Sequence, residues 1–184
     1  MPSSPTTTTC QPGERPAGPD PGAPMAYTLA PTDESFLEAA PKRFQETFAI
    51  PRPAADVWAE LTADNTLSWC RALGGQGATW TSPRPFGVGT TRKVKVLRGL
   101  LALDERYIVW EEGRRKAFVG VRSNLPLLKR VAEDYLVEPD GESACRFTWT
   151  VGVEPTAVGR PGSPLNAAIF ASLFKDTRRH YGIG

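Results

Sequence analysis

Polar and apolar residues alternate with a period of two over much of the stretch from residue 78 to residue 154. This period predicts β-strands, because successive side chains of a strand point to opposite faces. The predicted strands are 44–50, 78–81, 90–97, 103–110, 116–123, 131–138 and 145–154. Short joints rich in proline and glycine separate the later strands, so we expect an antiparallel meander rather than parallel strands joined by helices.

A helical period replaces this alternation elsewhere in the chain. Residues 53–63 predict one short helix, and 65–73, ended by two glycines, predict a second. Ser163 and Pro164 predict the start of a long C-terminal helix that ends at Gly182. Its large apolar residues share one broad arc: Leu165, Ile169, Phe170, Leu173 and Phe174. This order of elements predicts an α+β fold in which the long helix covers the apolar face of the sheet.

The N-terminal region has a different composition. Its first 24 residues contain seven prolines and three glycines, which predicts disorder because little apolar surface is available for burial. We therefore predict a disordered proline-rich tail over 1–31. Thr32, followed by two acidic residues, predicts a short helical segment over 32–41, before a folded domain over 42–184. Met1 and Met25 are both candidate translation starts.

Composition then removes several classes of function. The chain has 184 residues and a formal charge of +2, and no apolar run approaches the roughly 18 residues that span a membrane. The start lacks the pattern of a secretory signal, so we expect a cytoplasmic protein. One histidine and three cysteines without metal-ligand spacing predict no metal site and unpaired, inert thiols. Phosphate-binding glycine motifs are absent from the sequence, so we expect no cofactor.

Four stretches are distinctive in their order and spacing: IPRPAADVW at 50–58, FGVGTTR at 86–92, WEEGRR at 110–115 and EDYLVEP at 133–139. Together they resemble the START-like helix-grip superfamily, SRPBCC, and within it the bacterial polyketide cyclase/dehydrase and lipid-transport-like group. The resemblance spans roughly 36–182. It implies a sheet of about six or seven antiparallel strands wrapped around the long C-terminal helix, two short helices after the first strand, and a cavity between sheet and helix. It also implies hydrophobic ligands, but no shared catalytic residues.

One arginine and two glutamates fall on the apolar faces of their strands. The groupings are Arg92 with Val94 and Val96, Glu105 with Leu103, Tyr107 and Val109, and Glu133 with Val131, Tyr135 and Val137. Because a charge is almost never buried alone, we expect Arg92 to pair with Glu105 or Glu133. The functional interpretation is a polar anchor that orients a ligand headgroup inside an apolar cavity. The alternatives are a structural ion pair near the sheet edge, or strand faces that are inverted.

The candidate ligand-binding residues combine this trio with aromatic side chains. They are Trp69, Arg92, Glu105, Tyr107, Glu133, Tyr135, Trp149, Phe170 and Phe174. Such aromatic residues are more often simply core, and Trp58 is assigned to the core outright. His180 lies four residues after Asp176, and such a pair orients an imidazole for proton transfer. The stronger interpretation of His180 is a cation that interacts favourably with the helix dipole.

The basic residues point to few partners. In 92–98 the lysines belong to the solvent face of a strand, so we expect no nucleic-acid partner. Residues 125–130 are apolar and basic and suit a gate that touches lipid, so transient membrane contact is a candidate interaction. The oligomeric state and the identity of the ligand stay open.

We therefore expect a carrier or sensor of a hydrophobic small molecule: a lipid, a polyketide-like compound or another apolar ligand. The alternative is a polyketide cyclase or dehydratase, in which Glu133 or Glu105 abstracts a proton while Arg92 or Tyr135 stabilises the enolate oxygen. A third interpretation is an interaction module whose proline-rich tail recruits a partner.

Overall fold

The computed structural model describes residues 27–75 and 77–183, so the tail predicted before residue 27 lies outside the described residues. The elements are β1 (Tyr27–Thr28), α1 (Phe36–Ala39), β2 (Lys42–Ile50), α2 (Ala54–Leu61), β3 (Ala78–Trp80), β4 (Thr91–Val96), β5 (Leu101–Glu111), β6 (Arg115–Ser123), β7 (Leu128–Pro139), β8 (Cys145–Pro155) and α3 (Ser163–His180). The sheet runs in the order β2-β8-β7-β6-β5-β4-β3, with β1 paired to β6. All of these pairings are antiparallel, which confirms the predicted meander.

Helix α3 covers the apolar face of the sheet, as predicted from its amphipathic pattern. Leu173 and Phe174 are buried in the main core, and Phe174 meets Trp149 of β8 at 5.5 Å between ring centroids. Phe170 stacks on Phe44 of β2 at 4.8 Å. The helix therefore packs against the edge of the sheet that β2 and β8 form, which confirms the helix-grip arrangement.

Two local predictions differ from the structure. The helix predicted over 65–73 is reduced to a short 3-10 turn at Arg71–Leu73, and Leu67 lies in the left-handed region (φ 61°), which interrupts a helical path. On β5 the expected face of Val109 is wrong. A register shift between Tyr107 and Val109 rotates the strand, so that Trp110 rather than Val109 packs on the main core.

The boundary predicted at residue 31 also moves. Tyr27–Thr28 pairs with Arg122 and Ser123, and the backbone of Leu29 and Ala30 bridges the gap where β6 and β7 separate. Residues 27–40, here the N-terminal strap, then continue across the outer face of the sheet. There Phe36 and Leu37 of α1 are buried against Val119 and Ala132. Residues 27–31 are thus part of the folded domain.

The antiparallel register sorts the loops into two groups. The ends of β4, β6 and β8 lie together, so loops 97–100, 124–127 and 156–162 share one end of the sheet with the start of α3. We call this the mouth end. Helix α2 and loops 81–90 and 112–114 lie at the other end, here the closed end, where Arg84 bonds Asp64 and Trp58 bonds Glu112. No helix among the described residues has both the length and the apolar character needed to cross a bilayer.

Candidate functional site

A cavity of about 60 Å³ lies between the sheet and α3. Its walls are mostly aliphatic and include Val94, Val96, Val131, Val153, Ile169 and Leu173. Toward the mouth end the lining residues Leu101, Leu128 and Phe170 are only half-buried, so this is the side on which the cavity approaches the surface. The enclosed space holds a few water molecules, at about 10–15 Å³ for each. A drug-sized ligand, which fills about 300 Å³ or more, needs the mouth to widen.

Arg92 is the cation of this cavity. The alternation of β4 turns its side chain inward, where it is 1% exposed, and its Nε donates to Glu105 Oε2 at 2.6 Å. This contact confirms the predicted ion pair. The guanidinium also lies over the ring of Phe118, 4.0 Å from its centroid, as expected for a favourable cation–π contact. Its Nη1 is buried and has no hydrogen-bond partner among the described residues.

Glu133 is the second carboxyl group at the cavity. It accepts hydrogen bonds from Trp149 Nε1 at 2.8 Å and from the Tyr135 hydroxyl at 3.2 Å. Burial, and after it the negative charge of Glu105, raises the pKa of Glu133 to about 7, although Arg92 opposes this shift. A group with this pKa exchanges its proton near neutrality and is therefore suited to acid or base chemistry.

Glu105 differs from Glu133 because it is held by the ion pair. It is 2% exposed, and burial raises its pKa while Arg92 opposes the shift. Tyr107 lies beneath the pair, with its ring centroid 5.5 Å from the guanidinium carbon of Arg92. The Tyr107 hydroxyl is buried and also lacks a hydrogen-bond partner in the described part of the chain.

The structure brings six of the nine candidate residues to the cavity. They are Arg92, Glu105, Glu133, Tyr135, Trp149 and Phe170. Tyr107 and Phe174 lie behind the cavity wall, in the core. Trp69 is directed away from it, stacks on His180 at 4.2 Å and donates Nε1 to the Thr177 hydroxyl at 3.2 Å. A ligand-binding role for any of these residues stays a prediction.

Lys116 is a buried charge that the sequence analysis did not single out. It lies on β6, is fully buried, and its Nζ donates to the carbonyl oxygen of Leu61 at the end of α2. Five aromatic rings surround the ammonium group at 5.4–5.7 Å: Trp58, Trp80, Tyr107, Trp110 and Tyr135. Burial, and then the charge of Arg92, lowers the pKa of Lys116 well below its ordinary value. The period-two pattern contained this signal, since Lys116 and the inward Phe118 share a face.

The proposed pair of Asp176 and His180 does not form. His180 Nε2 instead lies 3.2 Å from Glu60 Oε2, and the buried Asp176 accepts hydrogen bonds from the backbone and side chain of Arg71. Burial raises the pKa of the Cys70 thiol to about 12, which fits an inert thiol. Cys10 lies outside the described residues. Within 27–75 and 77–183, no group of three or more His, Cys, Asp or Glu is arranged to hold a metal ion.

Comparison with known proteins gives a family and a fold. The sequence model of a family described as "Polyketide cyclase / dehydrase and lipid transport" matches residues 41–180. Uncharacterized proteins of Mycobacterium tuberculosis and Mycobacterium bovis are each 38% identical over 154 residues, which cover 79% of this chain and 88% of the relative.

Solved structures with the same fold are much less similar in sequence. A START superfamily protein from Mycobacterium smegmatis has a TM-score of 0.61 at 11% identity, covering 76% of this chain and 97% of that chain. Major latex-like protein 151 of Panax ginseng has a TM-score of 0.53 at 19% identity, with the same coverage of 76% and 97%. At these identities the likeness shows the fold alone.

Proposed function

Because the chain belongs to the polyketide cyclase/dehydrase and lipid transport family, we propose that it binds a hydrophobic small molecule in the cavity between the sheet and α3, as a carrier or sensor. The family and the START-like fold suggest a hydrophobic ligand. The chemistry of the cavity adds a requirement for the headgroup. The ligand is an amphipathic molecule with an oxygen acceptor, such as a carboxylate, at one end.

The observation that carries this proposal is the unpartnered Nη1 of Arg92. A buried donor without a partner costs about 1–3 kcal/mol, and more when the group is charged. The guanidinium of Arg92 donates its Nε–H to Glu105. Its Nη1 is therefore available to donate to a second acceptor. A ligand oxygen at this edge supplies the missing hydrogen bond, while the aliphatic walls contact the rest of the molecule.

The Arg92 headgroup site makes a specific prediction about ligand preference. A fluorescent long-chain fatty acid should bind more tightly than its methyl ester, by about tenfold or more, because a charge-assisted hydrogen bond contributes about 1.5–3 kcal/mol. Fluorescence titration of the purified full chain measures both affinities. Arg92→Lys, which keeps the charge but not the fork, should reduce the preference for the acid.

The matched control is Lys93→Ala, because Lys93 is the next residue of β4 and faces solvent, with its side chain 46% exposed. It should bind both probes like the unmodified protein. Equal affinity for acid and ester would remove Arg92 as the headgroup site. Failure to bind either probe would count against the whole proposal.

One observation favours a second candidate, an enzyme that moves a proton next to a carbonyl group. Glu133 has a pKa near 7 and lines the same cavity as Arg92, so a base and an enolate-stabilising cation face one space. Such an enzyme exchanges the α-protons of an apolar ketone with deuterium oxide. NMR should then show exchange faster than in buffer, and Glu133→Gln should abolish the acceleration. Exchange that is unaffected by Glu133→Gln would exclude Glu133 as the base.

A further inference from the structure

The exposed large apolar side chains are concentrated at one end of the molecule. Among the described residues, six such side chains are exposed, and five belong to the mouth end. They are Tyr27, which pairs with Ser123, Leu97 and Leu100 in the β4–β5 loop, Val158 in the β8–α3 loop, and Leu165 in the first turn of α3. The sixth, Val88, lies in the loop 81–90 at the closed end. Because large exposed apolar patches are typical of interaction surfaces, this end of the molecule is the candidate for one.

The loops that carry these side chains are tied together. The Asn124 side chain accepts a hydrogen bond from the Ala102 backbone N–H at 2.7 Å and donates to the Leu100 carbonyl at 3.1 Å. Thr156 donates its hydroxyl to the Pro126 carbonyl at 2.6 Å and its backbone N–H to the Leu127 carbonyl at 3.1 Å. The three loops of the mouth end therefore form one connected rim.

In the β4–β5 loop, two residues with a strained backbone conformation have exposed side chains. Leu97 and Arg98 both have positive φ, 52° and 59°, although neither is glycine. This region costs a non-glycine residue about 1 kcal/mol or more, and such residues persist where the surrounding structure holds them. The result is a leucine 37% exposed beside an arginine, at the edge of the cavity that includes Val96 and Leu101.

The charge of this rim is positive. Loops 97–100, 124–127 and 156–162 contain Arg98 and Arg160 and no acidic residue. The acidic residues that flank these loops are engaged elsewhere, since Asp104 pairs with Lys93 and Arg122, and Glu154 pairs with Lys129 and Arg130. The closed end differs, because its loops carry Asp64 and Glu112 beside Arg84.

We propose that the mouth end docks on an anionic lipid membrane, with Leu97, Leu100, Val158 and Leu165 inserted among the lipids and Arg98 and Arg160 at the level of the headgroups. Exposed aliphatic side chains next to unopposed arginines match both the apolar and the charged layer of such a surface. Docking places the mouth end, where the cavity approaches the surface, against lipid, so an apolar ligand moves between membrane and cavity without crossing water once the mouth widens. This last step rests on the proposed function, whereas docking itself does not.

Vesicle co-sedimentation of the full chain tests the docking surface. Vesicles of phosphatidylcholine alone are compared with vesicles in which phosphatidylglycerol makes up about a third of the lipid. The protein should bind the anionic vesicles preferentially. Leu100→Asp combined with Val158→Asp should weaken binding at least tenfold, because two aliphatic side chains no longer enter the lipid. Each of Arg98→Ala and Arg160→Ala should weaken it about fivefold at low salt.

Val88→Asp is the matched control, because Val88 is as exposed as Val158 (69% against 68%) but lies at the closed end. It should leave vesicle binding unchanged. Absence of preferential binding to anionic vesicles, or an equal loss with Val88→Asp, would overturn the proposal. So would a protein dimer in solution that Leu100→Asp with Val158→Asp converts to a monomer, since a second copy would then cover this surface.

The fatty-acid titration keeps the two proposals distinct. All of these surface variants should bind the fluorescent fatty acid in solution like the unmodified protein, because none of the substituted residues lines the cavity. Probe binding without vesicle binding would overturn the docking surface alone. Vesicle binding without probe binding would overturn the proposed function and leave the docking surface supported.

Discussion

Arg92 and Lys116 are two buried basic side chains on the same face of the sheet, and their partners and surroundings differ. Arg92 is 1% exposed, forms an ion pair with Glu105 and lies at the cavity. Lys116 is fully buried, meets a backbone carbonyl in place of a carboxylate, and is enclosed by five aromatic rings toward the closed end. The first arrangement leaves a buried charged donor without a hydrogen-bond partner in a residue that lines the cavity, whereas Lys116 does not line the cavity.

The difference separates a candidate binding group from a packing group. An arginine fork beside a carboxylate has further donors in fixed directions, so it recognises a second acceptor. For Lys116, cation–π contacts and the carbonyl at the C-terminal end of α2 offset only part of the cost of burying the ammonium group, since its pKa is lowered well below the ordinary value. Burial alone therefore does not identify a site in this protein. The unpartnered atom and the adjoining cavity do.

The largest expected effect is on Arg92. Arg92→Ala should lower the free energy of unfolding by about 3–5 kcal/mol, because Glu105 is left as a buried charge without its partner. Urea denaturation at neutral pH measures this loss. Lys93→Ala on the same strand should cost under about 0.5 kcal/mol, since Lys93 forms a partly exposed ion pair with Asp104. Equal, small losses for both variants would contradict the buried role of Arg92.

The second-largest expected effect is a dependence of the free energy of unfolding on pH, caused by Glu133. Its pKa is about 7 in the folded protein and 4.5 in the reference state, so the folded state binds more protons between these values. The stability contributed by protonated Glu133 is fully present below about pH 4.5 and is lost as the pH rises through about 7, a change of about 3 kcal/mol.

Glu133→Gln should remove this loss, so the variant gains stability relative to the unmodified protein as the pH rises from 5 to 8. Urea denaturation across this range provides the measurement. Glu105, Arg92 and Tyr135 face the same group in both proteins, so their contribution largely cancels in the difference. A stability difference that does not vary with pH would show that Glu133 titrates near its ordinary value.

The smallest expected effect comes from Lys116. Lys116→Met keeps a long side chain and removes the ammonium group. Burial lowers the pKa of this group well below 10.5. The Leu61 carbonyl keeps a partner, because the Thr66 hydroxyl also donates to it at 2.9 Å. The variant should therefore be as stable as the unmodified protein at pH 7, or more stable by up to about 2 kcal/mol.

The sign of the Lys116 effect is set by its lowered pKa. In the unmodified protein the unfolded state binds the extra proton below pH 10.5, so stability falls as the pH decreases through this region. The advantage of Lys116→Met should thus be larger at pH 7 than at pH 10, as thermal or urea denaturation would show. A marked destabilisation at pH 7 would mean that the aromatic cage specifically holds a cation.

Much of the fold and part of the candidate site follow from the sequence because strand alternation is a geometric rule. Arg92 and Glu133 could be placed on the inner face from their neighbours alone. Val109 could not, because a β-bulge follows from the pairing of β5 with β6 rather than from either strand. The position of Trp69 outside the cavity lining could not be predicted for a related reason, since the left-handed Leu67 redirects the chain before it.

The folded unit of the molecule is longer than the region that the family model matches. The family match begins at residue 41, after the strap has already contributed three buried side chains, Leu29, Phe36 and Leu37. At Gly120 the packing is so close that an added Cβ would lie 3.0 Å from a methyl group of Leu29 and 2.5 Å from one of Val131. A protein trimmed to the matched region would expose to solvent the apolar surface that Leu29, Phe36 and Leu37 contact. A protein beginning at Met25 would keep that surface covered.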